Sequence, residues 1–117
     1  MFVGALMAGL GVGIGAFGAH GLRGRLTPEM LAVFETGVRY HMYHALALLA
    51  TAALMTRVDG RAVVVAGWSF LAGILIFSGS LYALALTGVT TLGAITPIGG
   101  LAFLIGWACL AIAAAAG

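Results

Sequence analysis

The sequence predicts an all-α integral membrane protein: a four-helix bundle with short loops and an interfacial extension at the start of the second helix. Three observations predict it. Hydrophobic residues make up 63% of the chain and charged ones 7%, whereas a soluble domain carries about a quarter charged residues to cover its surface. Lys, Asn and Gln are absent, and every charge (Arg23, Arg25, Arg39, Arg57, Arg61, Glu29, Glu35, Asp59) falls between residues 23 and 61. The apolar runs around these charges divide into segments of about twenty residues, the length that crosses a ~30 Å hydrocarbon layer. A chain of 117 residues is then one transmembrane domain, 1–117.

The first span is expected at about 2–19. Its apolar run follows no basic stretch, so a mature helix is expected rather than a signal peptide. Its glycines suit lipid, where the backbone must bond to itself and small residues admit a close neighbour. Ala5, Gly9 and Gly13 form one stripe at four-residue spacing, and Gly11, Gly15 and Ala19 a second. Two stripes predict packing on more than one partner.

After a loop from Gly21 to Leu26, Thr27-Pro28-Glu29 reads as a helix start. Thr is the N-cap, Pro takes the first helical position, and Glu suits the positive helix end. Helix from Pro28 to Thr56 would measure roughly 43 Å, longer than the hydrocarbon layer. We therefore expect 28–36 to lie at the interface and the span proper to run from 37 to 56. The charged turn Arg57-Val58-Asp59-Gly60-Arg61 leads to a third span at about 62–86. An uncharged turn follows, then a fourth span at about 92–116, where Thr96-Pro97 resembles the earlier helix start. Gly99, Gly100, Ala102 and Gly106 are expected to supply close packing there, with Trp107 filling space. Cys109 is alone, which excludes an internal disulfide and a cysteine metal site, and it reads as a small buried hydrophobe.

Four spans put both termini on one side of the membrane. Arg23, Arg25 and Arg39 lie toward the other side, and Arg57 and Arg61 toward the termini. That balance leaves orientation open.

The polar residues suggest where a site would lie. His20 ends the first span. His41 and His44 sit within the second, Ser78 and Ser80 in the third, and Thr96 begins the fourth. Ionisable groups within a membrane normally face the protein interior, so these residues are expected to gather at one level. Three readings follow. The histidines and serines are neutral and hydrogen-bonded between helices; or His20, Arg23, Arg39, His44, Ser78, Ser80 and Thr96 form an anion or lipid-headgroup site with two helix N-termini; or His20, His41 and His44 hold a metal or haem. The second reading is testable in the structure, since His20 and His44 should come within hydrogen-bond or water-bridge reach.

Several classes are excluded by composition. No acidic residue lies mid-span, which argues against a small four-span proton-coupled exporter. Absence of Asn argues against the small dimeric fluoride channels, whose pores depend on one. No nucleophile–base–acid set occurs, so no enzyme and no cofactor are expected. Gly9-Leu10-Gly11-Val12-Gly13 lies inside a lipid span and is no nucleotide loop. Arginines that flank spans point to lipid, not nucleic acid.

Four motifs in order carry a family resemblance. They are Gly15-Ala16-Phe17-Gly18-Ala19-His20-Gly21-Leu22, Tyr40-His41-Met42-Tyr43-His44-Ala45-Leu46-Ala47-Leu48-Leu49, Phe77-Ser78-Gly79-Ser80-Leu81-Tyr82, and Ile95-Thr96-Pro97-Ile98-Gly99-Gly100 with Gly106-Trp107. Together they resemble the family of domain of unknown function 423, small bacterial inner-membrane proteins with eukaryotic transmembrane relatives. The resemblance implies four spans and names no reaction. One departure is His41, where the family pattern leads us to expect glutamine, which leaves His20 and His44 as the stronger pair.

Two function classes follow. One is a non-enzymatic membrane component that binds lipid or a protein partner, or self-associates as a homo-oligomer. The other is a small oligomeric transporter or channel.

Overall fold

The computed structural model describes residues 1–117, and it is helical almost throughout. Helix α1 (Phe2–Phe17) continues into a π-helical turn, Gly18–Leu22. Helix α2 (Pro28–Leu54) follows a short loop. Helix α3 (Arg61–Gly73), a second π-helical turn (Ile74–Ser78) and α4 (Gly79–Thr87) join end to end. A 3₁₀ turn (Thr90–Ala94) then leads into α5 (Thr96–Ala116). The chain is thus four rods, and the all-α expectation is met. Three rods, Phe2–Leu22, Arg61–Thr87 and Thr90–Ala116, are long and apolar enough to cross a membrane. The α2 rod is not in that set, because its carboxylates, arginine, tyrosines and histidines make it the least apolar of the four.

The start of α2 forms as its sequence dictates. The Thr27 hydroxyl accepts from the Met30 amide at 3.2 Å, and Pro28 opens the helix. No break occurs at Gly37, and the helix runs on to Leu54. The segment expected at the interface is partly enclosed by protein, since Phe34 is buried against Tyr82, with ring centroids 5.1 Å apart. The second Thr-Pro start behaves differently. The Thr96 hydroxyl caps nothing, because it lies 2.6 Å from the Ser80 hydroxyl. A tertiary hydrogen bond has displaced the local one. Gly88, with φ 72°, closes α4 in the left-handed conformation that glycine adopts without steric penalty.

Helix α2 is the hub, and every other rod touches it. Helix α1 packs along α2. The α3–α4 rod lies on another side of α2, and α5 packs chiefly on α3. The arrangement is flattened, 49 × 26 × 16 Å. Only 24 of 117 residues are buried, so most of the apolar side chains face outward, as lipid solvation requires. The larger core joins Ala47 and Leu48 of α2, Ala66 and Phe70 of α3, Ile74, and Phe103 of α5, with Cys109 half-buried against it. The smaller core joins Leu22, Phe34 and Ala85.

Glycines set the close approaches. Along the α3–α5 seam, Gly73 faces the Phe103 ring and Gly106 faces the Phe70 ring, a reciprocal ring-into-glycine fit. Gly99 lies against the Phe77 backbone, too close for any side chain. Gly100, by contrast, has only ordinary contact with Phe77. In the first rod one of the two expected stripes is used in part, through Gly11 and Gly15, while its Ala19 is exposed. Gly4, Gly11, Gly15 and Gly18 lie against Leu49, Met42, Val38 and Phe34 of α2, while Gly9 and Gly13 meet nothing within 4 Å. The expectation of more than one partner for α1 is therefore not met within the chain.

Candidate functional site

Helix α2 carries both buried histidines, His41 and His44, into the protein interior. At three residues' separation they point about 60° apart around the helix. Rods pack on either side of α2, so the two rings enter different interfaces. His41 reaches α1 and α4. Its Nε2 lies 2.7 Å from the Met7 carbonyl and its Nδ1 2.9 Å from the Tyr82 hydroxyl. A carbonyl only accepts, so Nε2 carries the proton and Nδ1 accepts from Tyr82. His44 reaches α5. Its Nδ1 lies 2.7 Å from the Tyr40 carbonyl, and its Nε2 accepts from the Trp107 indole N–H at 3.0 Å. The same reasoning gives His44 the opposite tautomer. Its ring also stacks on Phe103, with centroids 3.5 Å apart and planes 9° apart.

The hydroxyls form further bridges. Ser78 leaves the π-helical turn and donates to the Gly37 carbonyl of α2 at 2.7 Å. Ser80 lies 2.9 Å from the Phe77 carbonyl and 2.6 Å from the Thr96 hydroxyl, which ties α4 to α5. No buried side-chain nitrogen or oxygen lacks a hydrogen-bond partner. The interior polar groups are therefore closed on one another.

This geometry separates residues that the sequence placed together. His20 is exposed on the first π-helical turn, Arg23 is exposed in the loop, and Arg39 is exposed on α2. The α1–α2 packing gives the reason. Gly4 meets Leu49, Gly11 meets Met42 and Gly15 meets Val38, three antiparallel pairs in one register. Continued, that register sets His20 beside Val33, eleven residues or roughly 16 Å along α2 from His44. His44 also has both ring nitrogens committed. The expected approach of His20 to His44 is thus not met, since His20 is exposed at the end of the first rod and His44 is buried with both ring nitrogens bonded elsewhere. The metal reading is corrected with it: no group of three His, Cys, Asp or Glu side chains is placed to hold a metal ion, because His20, His41 and His44 point to three different surroundings. Of the residues expected to share a site, only Ser80 and Thr96 touch.

Sequence reasoning missed Trp107, Tyr82 and the carbonyls of Met7, Tyr40 and Gly37 as partners. A signal existed for the first two, since a buried tyrosine or tryptophan generally finds a hydrogen bond. Any residue can offer a carbonyl, so the others had no signal.

One polar depression does open outward. A cavity of about 270 Å³ lies between the end of α1 and α2. Gly15, Gly18 and Ala19 form one wall, and Phe34, Val38, Glu35 and Arg39 the other.

Residues 14–100 match the family described as "Protein of unknown function (DUF423)". The chain is 52% identical over 115 residues to the UPF0382 membrane protein YwdK of Bacillus subtilis, covering 97% of this chain and 94% of that one. It is 51% identical over 113 residues to the UPF0382 membrane protein SERP0230 of Staphylococcus epidermidis, covering 97% and 92%. It is 48% identical over 112 residues to SH2409 of Staphylococcus haemolyticus, covering 96% and 91%. The chain belongs to the DUF423 family. Its relatives carry the name of membrane proteins, and three of its own rods are apolar enough to span. This DUF423 member is a membrane protein. No solved structure matches it.

The DUF423 family match spans the whole of α2 and includes His41, His44, Ser78, Ser80 and Thr96, whereas Met7 precedes it. Trp107 lies beyond the matched segment.

Proposed function

We propose that this protein is a non-enzymatic, four-span component of the bacterial inner membrane that acts through its outer faces, on lipid or on a protein partner. Helix α2 crosses with the three apolar rods, and its histidines hold rods together instead of binding a solute. One observation carries this reading: every buried polar side-chain atom has a partner within the chain. An interior path or ligand site needs uncommitted polar atoms, since unpaired ones in hydrocarbon are costly. The span limits 2–19, 37–56, 62–86 and 92–116 belong to the same reading, with 28–36 at the interface.

The alternative is a small oligomeric transporter or channel. It draws on the open α1 face at Gly9 and Gly13, where a second copy would have to supply the path. Flux measurements in proteoliposomes separate the two. The sealed-interior reading expects proton, potassium and chloride movement equal to that of protein-free vesicles. A flux above that level, altered by substitution at His41 or His44, would overturn it.

A further inference from the structure

We propose that the cavity between the end of α1 and α2 receives the headgroup of an amine-bearing phospholipid, with the phosphate on Arg39 and the ammonium on Glu35. The proposal deepens, and rests on, the reading of this chain as a membrane component that acts through its outer faces.

The cavity's two charges have opposite sign and sit one turn apart on α2, roughly 6 Å along its axis. Both side chains are exposed. The remaining walls are glycine, alanine, valine and the buried Phe34 ring. A ligand that matches this outline carries a negative and a positive group a short link apart. An aminoethyl phosphodiester has that form. A plain anion would leave Glu35 facing it, and a plain cation would leave Arg39 facing it.

The surroundings select a lipid over a soluble zwitterion. Two turns from Ala19 on the same face of α1 is Val12, 63% exposed, and two turns from Arg39 on the same face of α2 is Leu46, 56% exposed. An acyl chain rising from the headgroup would lie along this apolar track. On the water side, Arg23 and Arg25 are exposed and add the positive charge that draws phosphate-bearing surfaces. Floor geometry also fits a fixed shape. Gly18 lies against the Phe34 ring so closely that a methyl there would fall 2.5 Å from the ring edge, which pins the aromatic floor.

Full-length protein in detergent would be given equal amounts of phosphatidylethanolamine, phosphatidylcholine and phosphatidylglycerol with identical acyl chains, and retention read by native mass spectrometry. Exposed charge contacts are worth a factor of about two to five each. Wild type should retain phosphatidylethanolamine over phosphatidylcholine by about that factor, because trimethylation removes the N–H donors to Glu35. Glu35→Gln should erase this preference. Arg39→Gln should lower retention of phosphatidylethanolamine and phosphatidylglycerol together. Arg57→Gln, in the turn beyond the far end of α2, should change nothing. Equal retention of ethanolamine and choline lipids by the wild type, or a preference that survives Glu35→Gln, overturns the site. All three positions are exposed, and circular dichroism confirms the fold of each variant. None of these arms reads solute movement, so the headgroup site and the sealed interior fail or stand separately.

Discussion

Replacing Trp107 with phenylalanine isolates the His44 bridge. The substitution keeps an aromatic ring beside Phe70, whose centroid lies 4.9 Å away, and removes the N–H that His44 accepts at 3.0 Å. Interhelical hydrogen bonds in membrane proteins average about 0.6 kcal/mol and reach about 1.7. Here the loss also strands a buried acceptor, since His44 is 5% exposed, and such a group costs about 1–3 kcal/mol. The stack of His44 on Phe103 persists and offsets none of this. We expect Trp107→Phe to destabilise by about 1–2 kcal/mol. The assay is equilibrium unfolding in mixed micelles, arranged as a double-mutant cycle with His44→Leu. The coupling between the two sites should be about 1 kcal/mol. A Trp68→Phe background leaves Trp107 as the sole indole, since the chain has two, and vibrational spectroscopy of that indole reports its hydrogen bond directly. Additivity within ~0.4 kcal/mol, the scatter of independent sites, would refute the bridge.

Other expectations follow from the same contacts. His41→Gln should be tolerated within about 1 kcal/mol, because the amide donates to the Met7 carbonyl while its oxygen accepts from Tyr82; His41→Leu supplies neither and should cost about 2 kcal/mol more, both read by the same unfolding assay. Gly99→Ala drives a methyl into the Phe77 backbone and should destabilise by about 1–3 kcal/mol, whereas Gly9→Ala and Gly13→Ala face open space and should be neutral or slightly stabilising. Thr96→Val should cost about 1 kcal/mol through its lost bond to Ser80, with no further loss in a Ser80→Ala background. Zinc titration followed by calorimetry should show no stoichiometric binding that depends on His20, His41 and His44 together, since they do not converge.

Much of this structure was readable residue by residue, and the unreadable part has a common cause. The apolar runs, the Thr27-Pro28 start and the close packing at Gly99 and Gly106 depend on local chemistry, which sequence records. Rotation around α2 does not. His41 and His44 were expected to gather at one level, but a 60° divergence around the helix becomes two interfaces once separate rods lie on either side. Depth was equally hidden, because the α1–α2 register follows from which glycines meet Leu49, Met42 and Val38. A different register would have brought His20 nearer to His44. The Thr-Pro motif shows the limit of a local rule. It capped α2 at Thr27, yet at Thr96 a serine from another helix outcompeted the cap. Both π-helical turns were likewise invisible, although one of them presents Ser78 to Gly37.

The central position of α2 resolves an apparent conflict between composition and place. Three rods are apolar enough to cross lipid on their own terms, and the hub is the one that is not. A helix with two buried histidines and two tyrosines is poorly solvated by hydrocarbon. Packing offsets that penalty at the histidines, whose ring nitrogens all have partners: Met7 and Tyr82 for His41, and Trp107 with the Tyr40 carbonyl of α2 itself for His44, while Ser78 meets the Gly37 carbonyl. The polar residues of α2 therefore help to specify which rods sit where, while the apolar rods meet one another mainly through non-directional packing, with the Ser80–Thr96 bond as the exception. Substitutions that make α2 more apolar should then raise its independent affinity for the bilayer while loosening its hold on α1 and α5. Stability and insertion would change in opposite directions. A leucine at His41 or His44 that strengthened both at once would show that α2 is held by apolar packing alone.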